Sequence, residues 1–140
     1  MATPLSEAYD AFFIKSGLDW AGKEDQVYQF LKTAISKCVK TVSVDLSYTL
    51  DETTTTDEYD GEFINTLEQD AIELIALNML LEQYRQRYTE LVYLKKHLGT
   101  KDFNKLNDKA DEFKTIAQSM KDLQDEIFIF RQEFYSYKES

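Results

Sequence analysis

A chain of 140 residues has room for one domain, and a domain of that size buries roughly two thirds of the surface its unfolded chain exposes. Its apolar and charged fractions of 43% and 30% are those of an ordinary globular protein, and four glycines with one proline leave few obligatory breaks in regular structure. The net charge of −10 speaks against nucleic-acid affinity, which requires Lys and Arg grouped on one face.

Pro4 stands where the first turn of a helix would begin, and Leu5, Ala8, Tyr9, Phe12 and Phe13 form a 3.6-period stripe that ends before Gly17. Glu7, Asp10, Lys15 and Asp19 interrupt the first twenty residues. They therefore lack the apolar run of a secretory leader or a membrane span, and an intracellular product is expected. After a turn across Gly17 to Gly22, a second helix places Val27, Phe30, Leu31, Ala34, Ile35 and Cys38 on one face, with Trp20 expected between the two helices. Cys38 is the only cysteine and cannot form a disulfide within the chain. Its aliphatic neighbours Ile35 and Val39 predict a small buried hydrophobe, not a reactive thiol.

From Thr41 the pattern changes. Val42, Val44, Leu46, Tyr48 and Leu50 alternate with Thr, Ser and Asp, which predicts a strand or an extended arm. The segment "DETTTTDEYDGEF" that follows is read as an acidic turn, too polar to add to a core. "TDEYDGEFINTLE" looks superficially like a calcium loop with Gly61 in the sixth position. That register puts Thr56 first and Leu67 twelfth, where carboxylates are required, so no metal site is assigned.

Residues 71–81 are apolar except for Glu73 and Asn78. A helix of that kind is covered on more than one side, and it is too short and too polar inside to span a bilayer. It is predicted to be the central core helix, running on through Lys95, Lys96 and His97, whose charges suit a helix C-terminus, to a left-handed cap at Gly99. His97 is read as a helix-end residue and not a catalyst. From a cap at Asn107 or Asp108, the last helix carries Phe113, Ile116, Met120, Leu123, Ile127, Phe130, Phe134 and Tyr137 at three-four spacing. This seam predicts an antiparallel partner for the central helix. Phe128, Phe130, Phe134, Tyr135 and Tyr137 put more aromatic surface near the chain end than one seam covers, which points to a partner surface.

The charge is segregated along the chain. No basic residue occurs between Lys40 and Arg85, so that stretch carries −11 and the remainder +1. The expected architecture is thus mainly α, a helical bundle with long antiparallel central and C-terminal helices. Near residues 41–60 it carries an extended strand or β-hairpin arm, residues 41–62 forming a protruding acidic part of a single domain, 1–140. With one His, one Cys, no glycine-rich phosphate loop and no persuasive carboxylate pair, the sequence assembles no catalytic site and calls for no cofactor.

The order of "FFIKSGLDWAGKEDQVYQFLKTAI", "GEFINTLEQDAIELIALNML" and "LGTKDFN" resembles a family of small neck, or head-to-tail connector, proteins in the virions of tailed bacteriophages. The resemblance covers most of the chain. It rests on Trp20 before "KEDQVY", on Phe63 and Leu67 before Glu73 and Met79, on the "GTKDFN" turn, and on the closing Tyr135 and Tyr137. The chain departs from the pattern at Tyr84 and "RQR", where a Trp and a proline break are expected, and at Asn107 and Asp108, where Ser-Pro is expected. The resemblance implies a corner formed by Gly99, Asp102 and Phe103, and a ring, commonly twelvefold, beneath the portal. Portal and neighbouring neck or tail proteins would be the partners, and the genome would cross the channel without specific binding. Under that reading Asp51, Glu52, Asp57, Glu58, Tyr59 and Asp60 contact a neighbouring subunit or face the channel, and the aromatic terminus with Phe128 docks on the portal or the next ring. Two other expectations stand beside it: an acidic mimic of DNA that occupies a nucleic-acid-binding host protein, and another virion part such as a tail-completion or baseplate component.

Overall fold

The computed structural model describes residues 3–20, 22–39, 42, 45–50, 61–97 and 103–139, apart from the side chains of 94–97, 103–110 and 133–139. In chain order the elements are β1 (Thr3–Pro4), α1 (Leu5–Ser16), α2 (Glu24–Cys38), β2 (Tyr48–Leu50), β3 (Gly61–Phe63), α3 (Gln69–His97) and α4 (Phe103–Glu139). The protein is mainly helical with a small antiparallel sheet, as the sequence predicts.

Leu5, Ala8 and Phe12 recur at helical spacing and are fully buried. Pro4 does not open the helix. It is extended, with φ −62° and ψ 142°, and pairs with β3 just before α1 begins. The far end of α1 closes on Gly17, whose φ of 65° is left-handed and whose N–H donates to the Phe13 carbonyl. A side chain there would be disfavoured. Phe13, expected on the buried stripe, is partly exposed, because the stripe narrows to Leu5, Ala8 and Phe12 where α1 meets α3. Trp20 packs as expected between the first two helices, its ring 5.6 Å from Phe12 and 5.8 Å from Phe30.

The strand reading of residues 41–50 contracts to Tyr48–Leu50. Val42 and Leu46 are buried singly, and the Val42 N–H still belongs to the end of α2, donating to the Cys38 carbonyl. Of the alternating residues, Val42 and Leu46 therefore reach the core from outside any strand. Asp45 folds the chain back between them. Its carboxylate accepts from the Ser47 hydroxyl at 2.7 Å and the Ser47 N–H at 3.0 Å, a turn that Asp side chains favour.

A larger correction concerns the end of the acidic segment. Gly61–Phe63 is the middle strand of the sheet, ordered β1-β3-β2, and Phe63 lies fully buried opposite both Thr3 and Tyr48. Burying such a phenyl ring contributes about 2–3 kcal/mol, enough to order the polar residues attached to it. Gly61 is required by close approach, since a Cβ there would meet the Thr49 carbonyl oxygen at 2.0 Å. The reading of 41–62 as a protruding arm is thus corrected at both ends, where Val42, Leu46, Tyr48–Leu50 and Gly61–Phe63 are part of the fold. Residues 51–60 lie outside the described residues.

α3 is the centre of the molecule: α1, α2 and α4 each pack on it. Ala71, Ile72 and every residue from Leu74 to Leu81 are buried, as expected of a helix covered on several sides. Asn78 is accommodated because its side-chain N–H donates to the Leu74 carbonyl at 2.9 Å and to Cys38 Sγ at 3.6 Å, satisfying a group that would otherwise be costly to bury. α4 runs antiparallel to α3, so that Arg87 meets Glu112 and Tyr88 stacks near Phe113 at 4.7 Å, while Ile127 lies beside Leu74 and Asn78. α4 starts at Phe103. Asn107 and Asp108 are therefore inside the helix and not its cap, since local preference is only a weak guide to where a helix begins.

Candidate partner-binding groove

α2 and α4 both rest on α3, yet among the described residues they do not pack on each other. The gap between them is a groove of about 520 Å³. Leu74, Asn78 and Leu81 of α3 form its floor, Lys37 and Cys38 of α2 one wall, and Ile127, Phe128 and Arg131 of α4 the other. Phe128 is 62% exposed at its rim. Ser36, Arg85 and Gln124 complete the lining.

The electrostatics of this groove are opposite to those of the chain as a whole. Its charged lining residues are Lys37, Arg85 and Arg131, all cations. Glu82, one turn from Asn78, accepts an ion pair from Lys37 and a second from Arg85 at 3.4 Å. One carboxylate thus anchors two of the three cations. Burial pushes the Cys38 thiol up to about 12, against the pull of Arg131, the Asn78 hydrogen bond and Lys37. A thiol so raised is protonated and unreactive at neutral pH, which makes Cys38 a wall of the groove and not its chemistry.

A second, shallower hollow of about 380 Å³ lies along α4, where Asp122, Asp125 and Glu126 surround Ile129 and Phe130. Elsewhere Ile14, 83% exposed, and Leu18 leave apolar surface at the end of α1. Among the described residues no three His, Cys, Asp or Glu side chains gather as a metal set, and no helix is long and apolar enough to cross a membrane.

Of the partner-contact residues read from sequence, Phe128 is the one whose side chain is described, and it stands uncovered at the groove. Phe134, Tyr135 and Tyr137 lie on α4, with side chains outside the described residues. Asp51, Glu52, Asp57, Glu58, Tyr59 and Asp60 are also outside them, as are Gly99 and Asp102 of the expected corner. Phe103 is the first residue of α4. The cations Lys37, Arg85 and Arg131 had no signal in the sequence, because they come from three helices and only the fold brings them together.

No family model, curated protein or solved structure matches the chain.

Proposed function

We propose that this protein is a structural virion component of a tailed phage, one subunit of a ring in the neck between portal and tail that extends the channel for the genome. The observation that carries the reading is the pairing of unlike groups on one chain: a groove whose charged lining, among the described residues, is Lys37, Arg85 and Arg131, and a segment, 51–60, with five carboxylates and no cation. A closed ring is built from heterologous contacts, in which each subunit presents two different, mutually complementary patches. The sequence resemblance and the mainly helical bundle with its hairpin agree with that use. Acidic residues facing a lumen would also repel phosphate and let the duplex slide without sticking.

The acidic face of α4, with Asp122, Asp125 and Glu126 on successive turns, favours a second reading as a DNA mimic. Its three carboxylates fall within about 6 Å of helix rise, too short a run to imitate a phosphate track. It ranks second. Mass spectrometry of purified virions, with cryo-electron microscopy of the neck, tests the first reading: the chain should be present as a ring next to the portal. Virions that lack it, or capture of a nucleic-acid enzyme in place of portal, would overturn it.

A further inference from the structure

In the ring proposed above, something must hold one copy to the next, and the groove between α2 and α4 has the chemistry for it. We propose that this groove docks the acidic segment 51–60 of a second copy of this chain. Tyr59 would lie against Phe128 and the apolar floor, with Asp57, Glu58 and Asp60 against Lys37, Arg85 and Arg131. This inference rests on the ring reading and names the contact that closes it.

Three observations support the assignment. The first is charge: segment 51–60 holds five carboxylates, no cation and one aromatic ring, and the charged side chains among the described residues lining the groove are Lys37, Arg85 and Arg131, the first two sharing the single carboxylate of Glu82. Such complementarity both steers encounter and rejects wrong partners. The second is size. A volume of about 520 Å³ falls in the range of sites that take a small ligand or a few residues of peptide, about 300–1,000 Å³. The third is placement. Leu50 and Gly61, the residues flanking the segment, are paired in the sheet, which packs on α1 and, through Tyr48 and Tyr28, on α2, and neither residue lines the groove. The segment is thus tethered to the sheet while its complement is built from α2, α3 and α4, two different patches of the kind a head-to-tail ring needs.

The test uses two defective full-length chains. One carries D57N/E58Q/D60N and keeps its groove; the other carries Arg131→Glu and keeps its acidic segment. By sedimentation each alone should stay monomeric, and an equimolar mixture should form a dimer and stop there, since one intact junction remains. A synthetic peptide of residues 51–60 should bind the first variant, and lose about tenfold in affinity when Arg131→Glu or Phe128→Ala is added. It should also weaken in about 0.5 M salt, where screening is nearly complete over a few ångströms. Both added substitutions are at exposed positions, and a thermal melt checks that each chain folds. A mixture that stays monomeric although the peptide binds would mean that the segment occupies its own chain's groove, which overturns the second-copy assignment. Peptide binding that ignores Arg131→Glu, or no binding at all, overturns the groove. The neck reading fails separately: complementing variants of a chain absent from virions would sink the neck and keep the junction, and a chain present in virions without complementation would do the reverse.

Discussion

The two halves of α3 are held in different ways. Up to Gln86 it is surrounded: Glu73 pairs with Lys15 of α1, Asn78 and Glu82 meet Cys38 and Lys37 of α2, Gln86 bonds Gln26, and α4 covers a further side. From Arg87 onward its described contacts are with α4, through Glu112 and Phe113. The sequence changes in step. Residues 71–81 are apolar nearly all round, whereas later in the helix Tyr84, Tyr88 and Leu91 make one stripe beside exposed Arg85, Gln86, Thr89 and Glu90. A helix recruits as many neighbours as its apolar faces demand. Stability should therefore be concentrated in the wrapped half and thin out along the two-helix part.

The strongest challenge to this contrast is Phe63→Ala, which empties a fully buried site joining the sheet to the wrapped half. It should cost about 3–5 kcal/mol in urea unfolding; a loss near that of a surface substitution would mean the sheet adds little to the core. Leu91→Ala removes the buried anchor of the two-helix part. Here about 2 kcal/mol is expected, the low end of the range for such truncations, because two helices can close on the space more easily than four. Amide exchange should speed up first around Leu91 and Phe113 and leave Leu74 to Leu81 protected. Simultaneous loss in both halves would erase the distinction.

Alkaline pH probes the wrapped half through one buried thiol. The Cys38 thiol is raised by burial from 9.0 to about 12, so the folded state favours its neutral form. Its contribution is complete below pH 9 and is lost as pH rises from 9 to 12, amounting to about 1 kcal/mol by pH 10. Cys38→Ala should flatten that part of the stability profile. Tyr48 is also raised, by burial and then by its hydrogen bond and charge coupling to Tyr28, so Tyr48→Phe should flatten a further part of the alkaline limb. Smallest of all should be Arg87→Ala. Its guanidinium is held above its usual range by the hydrogen bonds to Glu112 and Glu90, but the pairs are solvent-accessible, and about 0.5 kcal/mol is expected, fading with salt.

The helices were legible because each buries one periodic face: Leu5, Ala8 and Phe12, then Val27 to Cys38, and the unbroken run around Leu77. The sheet was not. β1 and β3 are two and three residues long, too short for any period to register, and the polar company of Phe63 hid its role. The seam of α4 predicts its place against α3, but the helix begins at Phe103, ahead of the cap signal that Asn107 and Asp108 carry. Phe128 could be singled out as surplus aromatic surface. The groove it borders could not, since Lys37, Arg85 and Arg131 become neighbours only once α2 and α4 are laid side by side on α3.

The order β1-β3-β2 gives the little sheet two unequal borders. On one side it ends in Thr3–Pro4, where an imino nitrogen has no hydrogen to offer and α1 begins at once. On the other it ends in Tyr48–Leu50, a three-residue edge with ordinary amides. Among the described residues, then, the border beside Tyr48 is the one whose amides could extend the ladder, and the Thr3–Pro4 border is the one that proline shuts.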